Sequence, residues 1–179
     1  MSEVDDDSVQ RHQKEEFNQK KCIFCQIATK EKESAIVYED DDVLVFPDIR
    51  PAARHHYLVI PRIHVGDPKS LCGKDIGLVE RLVAVGKQVL QEKDVDTEDS
   101  RMGFHWPPFN SVQHLHLHAI SPVSEMGFIA RHVYRPDSWW FVTASWLLES
   151  LRKQTDAQQG ESSAAAVVEE TKQKSPSSL

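Results

Sequence analysis

The sequence has no run of the ~18 apolar residues that a membrane-spanning helix needs, and its start, MSEVDDDSVQRHQ, is acidic where a secretion signal is basic and then greasy. Membrane insertion and export are therefore disfavoured. Cysteine is scarce. There are three, an odd count, and Cys22 and Cys25 stand at the C-x-x-C spacing that suits a metal or redox pair better than a structural disulfide. That usage points to a reducing compartment, cytoplasmic or nuclear. Positive charge is also in short supply. Residues 1–20 hold six acids against three bases and residues 154–179 four against two, so of a net charge of -7 the stretch 21–153 keeps -2. A chain that holds nucleic acid by displacing counterions needs a basic stripe. Nucleic acid is not an expected partner.

What is present is enough for a core. With 40% hydrophobic residues and 8% aromatics, the 179 residues suit one domain with tails. Residues 1–20 and 154–179 are polar and without period, and they read as disordered tails around a domain at 21–153, which carries no internal repeat. Within that domain the spacing predicts a short helix from Ile23 to Thr29 and strands at 35–38 and 43–46 joined by the acidic turn Glu39–Asp42. A third strand is expected over Tyr57–Ile60, stopped by Pro61. Leu78, Val79, Leu82, Val83, Val85, Val89 and Leu90 recur largely at helical spacing and predict one long amphipathic helix over 75–91. Arg101–His105 reads as a fourth strand, Trp106–Asn110 as a rigid loop, and His114–Ser121 alternates strictly. The last structured piece is 139–151, where Thr143 is placed to cap a helix. Strands before and after one long helix, with connections of antiparallel length, make the class α+β.

The segment His114-Leu-His-Leu-His118-Ala-Ile120 is the most informative in the chain. At a period of two, three imidazoles share one face of a strand and the apolar side chains take the other. A single strand histidine is most often a satisfied structural residue, but three in register need three sets of partners. Such a face has two chemical uses. Histidines two apart can chelate zinc, and a catalytic zinc takes three protein ligands and keeps a position for water. Alternatively an imidazole, largely neutral near pH 7, is itself the nucleophile and forms a labile bond to phosphorus or carbon.

The stretch fits the pattern His-φ-His-φ-His-φ-φ, with φ apolar. Together with CIFCQI, VYEDDDVLVFPDIRPAARHHYLVIPRIH and RMGFHWPPFNSVQHLHLHAISP, it resembles the histidine-triad nucleotide-binding proteins over about Lys21 to Pro122. GFHWPPF, VYR and SWWFVTA are most similar to the aprataxin-related branch. The resemblance implies an α+β histidine-triad fold: a five-stranded antiparallel sheet, one long helix, a short N-terminal helix and a C-terminal helix. It also implies a purine-nucleotide pocket in a homodimer or higher homo-oligomer. The implied activity is hydrolysis of adenosine 5'-phosphoramidates and related adenylates to AMP through a covalent adenylyl-histidine, with no cofactor required for the chemistry.

By the same resemblance His116 is the nucleophile, His118 and His114 complete the triad, and His56 supports it. Asp48 and Ile49 fall where the ribose and base are held, and His105, Ser111 and Leu115 join His114, His116 and His118 around the nucleotide. Asp48 has a second reading as the cap of a turn before Pro51. Cys22, Cys25, His64 and His114 match the ligands of a structural zinc in zinc-bearing members, against the plainer reading of two buried helix cysteines. The chain departs from better-known members at His105, where they carry Asn, and in the loop before the triad, where Trp106, Pro107, Pro108 and Phe109 replace glycines. Leaving-group preference follows less directly there. A second reading, from another class, is a nucleotide-binding interaction module with incidental hydrolysis. Removal of AMP from DNA ends is disfavoured by the missing basic surface and by the lack of any cysteine after Cys72.

Overall fold

The computed structural model describes residues 20–93 and 95–157. In chain order the elements are α1 (Ile23–Ala28), β1 (Tyr38–Glu39), β2 (Val43–Pro47), β3 (His55–Pro61), α2 (Ile76–Gln91), β4 (Arg101–His105), β5 (Leu117–Ser121), α3 (Phe128–Val133) and β6 (Phe141–Thr143). A last helix, α4, covers 144–157. It passes residue 153, where the sequence places the edge of the domain. The tails expected at 1–20 and 154–179 otherwise lie outside the described residues, Lys20 and 154–157 being helical. No described helix is long and apolar enough to cross a membrane.

The strands form one antiparallel sheet in the order β1-β2-β3-β5-β4-β6. The acidic turn closes the first hairpin because the Asp40 carboxylate accepts the N–H groups of Asp42 and Val43 at 2.9 and 2.7 Å. The sheet is covered on both faces. Val43, Val45, Tyr57, Val59, Leu117 and Ala119 pack with Val79, Leu82, Val85 and Val89 of α2 and with Leu147 and Leu151 of α4. Leu44, Phe46, Leu58 and Ile60 face the other way, onto Cys22, Phe24 and Ile27 of the α1 region. Two covered faces explain why β2 reads as an unbroken apolar run. α2 lies close to the sheet at Gly86, where an added Cβ would stand 3.4 Å from Leu117 and Val59.

The expected five strands become six. In the segment over 139–151 the helix begins at 144, after the expected cap, and the residues before it add an unexpected strand: Phe141–Thr143 pairs with β4. Thr143 keeps its capping part, its hydroxyl accepting the Trp146 N–H at 3.3 Å. Gly103 allows the extra pairing, since a Cβ there would come within 2.4 Å of the Val142 carbonyl oxygen and 2.7 Å of the Phe141 ring. The first expected strand is also shifted, pairing at Tyr38–Glu39 rather than over 35–38. β5 starts at Leu117, so His114, Leu115 and His116 precede it in an irregular stretch.

Candidate active site and metal centre

The strand register gathers the imidazoles. β3 pairs Leu58 with His118 and His56 with Ile120, which makes His56 and His118 diagonal neighbours on one face, within reach of each other. Their rings meet, Nε2 of His56 lying 2.9 Å from Nδ1 of His118. β4 pairs Gly103 with His118, and the same register carried two residues on sets His105 across from His116. The His105 ring stands 4.9 Å from His118, and His116 stands 5.0 Å from His118. All four rings are wholly or largely out of solvent.

His114 leaves this group. The expectation that all three triad rings project together is corrected: the chain bends at His114, and its ring turns toward Cys22, Cys25 and His64. What His114 gives the cluster is its main chain. Its carbonyl oxygen accepts from Nδ1 of His116 at 2.6 Å.

Hydrogen-bond chemistry then fixes each tautomer. A carbonyl can only accept, so His116 carries its proton on Nδ1 and presents a lone pair at Nε2. The Ala52 N–H can only donate, so Nδ1 of His56 accepts it at 3.0 Å and the proton sits on Nε2. That proton is given to Nδ1 of His118, which leaves His118 with N–H at Nε2. Among the described residues Nε2 of His118 is the one buried side-chain N or O atom with no partner. A buried donor left unmatched costs about 1–3 kcal/mol, and such a cost is tolerated where a ligand supplies the acceptor.

These tautomers belong to neutral rings, and burial keeps the rings neutral. It lowers His56 from the ordinary 6.5 to about 4, with Asp48 opposing and His105 and His116 reinforcing. His118 falls well below the ordinary value, through burial first and then neighbouring imidazoles, and His116 and His105 are lowered chiefly by burial. The site pairs a neutral nucleophilic nitrogen with a neutral donor, in a setting drier than water.

The remaining predicted residues are dispersed. Asp48 sits beside the relay, Oδ2 being 3.6 Å from Nε2 of His56 and 3.9 Å from Nδ1 of His118, while Oδ1 accepts the Arg50 N–H at 2.7 Å. Its turn-capping and site-facing readings therefore hold together. Ile49 is 93% exposed. The Leu115 side chain lies in the core on the α2 face, away from the imidazoles, and its N–H goes to the Val65 carbonyl. Ser111 is exposed and lines a cleft with Lys21, Cys22, Ile23, His64, Val112 and Gln113, on the cysteine side. One residue of the cluster escaped sequence reasoning. Tyr134 has its ring 5.2 Å from each of His56, His105 and His118. No spacing pattern ties it to the triad.

Cys22, Cys25, His64 and His114 form a second centre. Their donor atoms all lie within 4.8 Å of one another, with Sγ–Nδ1 separations of 3.4 Å (Cys22–His114), 3.5 Å (Cys25–His114) and 3.2 Å (Cys25–His64). The edge of a tetrahedron with Zn–S ≈ 2.3 Å and Zn–N ≈ 2.0–2.1 Å is about 3.5 Å, so the set fits a closed Cys₂His₂ zinc. Nε2–H of His114 donates to the Pro61 carbonyl at 2.9 Å, which frees Nδ1 to ligate. Without a cation, burial and the neighbouring Cys22 push the Cys25 thiol up to about 12. A bound cation would reverse that.

Comparison with known proteins accords with this arrangement. Residues 21–134 match the family described as scavenger mRNA decapping enzyme C-term binding. The adenosine 5'-monophosphoramidase HINT3 of Xenopus tropicalis is 49% identical over 133 residues, 73% of this chain and 87% of that protein. The bifunctional adenosine 5'-phosphosulfate phosphorylase/adenylylsulfatase HINT4 of Arabidopsis thaliana is 40% identical over 134 residues, 73% of this chain and 91% of that one. A solved histidine triad protein from Clostridium difficile superposes with a TM-score of 0.53 at 36% identity, covering 55% of this chain and 88% of its own. A likeness that runs through the sheet, the imidazole cluster and almost the full length of its relatives has one reading: the chain belongs to the histidine-triad superfamily.

Proposed function

We propose that the chain is a nucleotide hydrolase that cleaves adenosine 5'-phosphoramidates and related adenylates to AMP, with His116 as nucleophile. The observation that carries this is the pair of Nε2 atoms, a lone pair on His116 and an unpartnered buried N–H on His118, on adjacent rings 5.0 Å apart. In the first step Nε2 of His116 bonds the α-phosphorus, the P–N bond breaks, and the departing nitrogen takes one proton from solvent to leave as the amine. In the second, water attacks the adenylyl-imidazole, AMP departs, and one proton is returned, so the cycle is proton-neutral. The N–H of His118 meets charge growing on a non-bridging phosphate oxygen, and the His56 relay keeps that hydrogen in place. Asp48 is suited to accept from the sugar hydroxyls.

The names of the relatives support the substrate class. The test is to mix the protein with an adenosine phosphoramidate, follow AMP, and weigh the protein quenched during turnover. The expected result is a nucleotide-sized adduct on His116 and, in His116→Ala, a fold kept but no AMP. Undiminished turnover in that variant would remove His116 from the mechanism. The alternative role, an interaction module with incidental hydrolysis, draws support from the solvent-exposed Phe128, Ile129 and Trp139. Tight nucleotide binding without AMP release would favour it.

The same reading gives Cys22, Cys25, His64 and His114 a structural zinc, which would pin the α1 region to the chain just before the nucleophile and take no part in the reaction. The exposed apolar side chains are in keeping with a homo-oligomer. The free thiols of Cys22, Cys25 and Cys72 fit a cytoplasmic and nuclear location.

A further inference from the structure

Tyr134 is the C-cap of α3, a helix that buries none of its own residues. Phe128 is 90% exposed and Ile129 77%, so side-chain burial does not hold this segment down. Main-chain contacts do. Nη1 of Arg101, on β4, donates to the Tyr134 carbonyl at 2.8 Å, and Nε1 of Trp140 reaches the carbonyls of His132 and Val133 at 3.3 and 3.2 Å. Arg131 donates back to the carbonyls of Met126 and Ser124, both at 2.8 Å. Six residues of helix are thus fixed by their ends, and what they deliver to the interior is one ring.

That ring meets His56 nearly edge-on, His118 less squarely, and His105 at a tilt. Its plane makes 85° with His56 and 60° with His118, both at 5.2 Å, and 53° with His105; Phe141 backs it at 5.5 Å and 87°. Perpendicular aromatic contacts of this kind hold rings in orientation as well as covering them. Among the described residues the hydroxyl has no hydrogen-bond partner, and burial followed by the charge of Asp48 pushes it up to about 12, so it stays protonated. The packing of the ring, and not a bond from the hydroxyl, links Tyr134 to the relay.

We propose that Tyr134 is a positioning residue of the active site, its ring covering His56, His105 and His118 and shielding the His56–His118 hydrogen bond from water. The proposal deepens the hydrolase reading and rests on it for the consequence in turnover, though not for the shielding. The titratable groups that act on the relay are Asp48 from the β2–β3 turn, His56 from β3, His105 from β4, His116 before β5 and His118 on β5, with Tyr134 packed against them; Arg101 of β4 spends its guanidinium on the Tyr134 carbonyl. Tyr134 is the one supplied by the segment after the sheet's central strands, and it brings no charge. Taking its ring away lets water reach the relay without altering any charged neighbour.

The experiment compares the full chain with Tyr134→Phe and Tyr134→Ala, with Tyr134→Val in place of Ala if that variant does not fold by circular dichroism. Two readouts are taken: the titration of the His56 and His118 rings by nitrogen-15 NMR, and the pH profile of kcat for AMP release from an adenosine phosphoramidate. In the Ala variant the midpoint of His56 is expected to rise from about 4 toward 6.5. The acid limb of kcat rises with it, and kcat falls by about 10²-fold as the rings lose their alignment. The Phe variant is expected to match the parent in both. A truncated variant that titrates like the parent overturns the proposal, and so does a Phe variant that shifts as far as Ala, because the hydroxyl would then be the active part. The NMR arm needs no substrate, so a parent without phosphoramidase activity would refute the hydrolase reading and still leave the shielding decided.

Discussion

A neutral imidazole carries one proton, and the partner of one ring nitrogen determines what the other can do. His116 and His118 lie two residues apart and receive opposite assignments because one binds a carbonyl and the other an imidazole donor. His118→Ala is therefore expected to lower kcat about 10²–10³-fold, the usual cost of losing one donor to transition-state charge, with a smaller change in KM. Steady-state kinetics of AMP release checks this; an equal loss through KM alone would make His118 a binding group. His56 also ties activity and stability to pH. Its folded value, about 4, lies below the ordinary 6.5, so an unfolded chain takes up the proton first as pH falls. The stability it contributes is complete above 6.5 and is lost as pH drops through 4, at most about 3 kcal/mol. Urea unfolding at pH 7 and pH 4.5 is expected to show that loss, and His56→Phe to reduce it without removing it, since His105, His116 and His118 are lowered in the same direction. The gathering of His116 and His118 on one face was legible in the sequence because the period-two pattern and its apolar partners are local, whereas the part given to each came from the resemblance. The turn of the His114 ring away from them was not in that pattern, and only the resemblance, through the set Cys22, Cys25, His64 and His114, pointed to it. It depends on a bend before β5 and on cysteines some 90 positions away.

Between β4 and β6 the governing fact is the absence of a side chain. A methyl group at position 103 would stand 2.4 Å from a backbone oxygen, and backbone cannot step aside as the end of a flexible side chain can. Gly103→Ala is expected to cost about 1–3 kcal/mol and to loosen β6, with a lower thermal midpoint as the measure. Because Phe141 packs on His105 at 5.1 Å, turnover should fall below what the stability loss alone accounts for. The long strands and α2 could be read from pattern, α2 starting one residue from its expected position. β6 could not. Three residues are too short to show a period, and its aromatic neighbours suit a helix face or a strand equally; the pairing depends on a glycine forty residues earlier in the chain.

For the molecule as a whole, residues 114–118 join two centres. The ring of His114 joins Cys22, Cys25 and His64 while its carbonyl orients the His116 ring. Chelation is expected to lower the thermal midpoint markedly and yet to leave AMP release running below that midpoint, since His116 is not among the four donors. Metal content and calorimetry before and after chelation check the first part, and a rate assay the second; immediate loss of AMP release at a temperature where the fold survives would place the metal in the chemistry. The sheet has a further consequence, set by its margins. It ends in a two-residue strand on one side and a three-residue strand on the other, the latter running straight into α4. Neither rim offers enough free N–H and C=O groups to template a neighbour's ladder. Copies of this chain that associate are therefore expected to meet through side-chain surfaces, with their sheets separate instead of fused into one continuous ribbon.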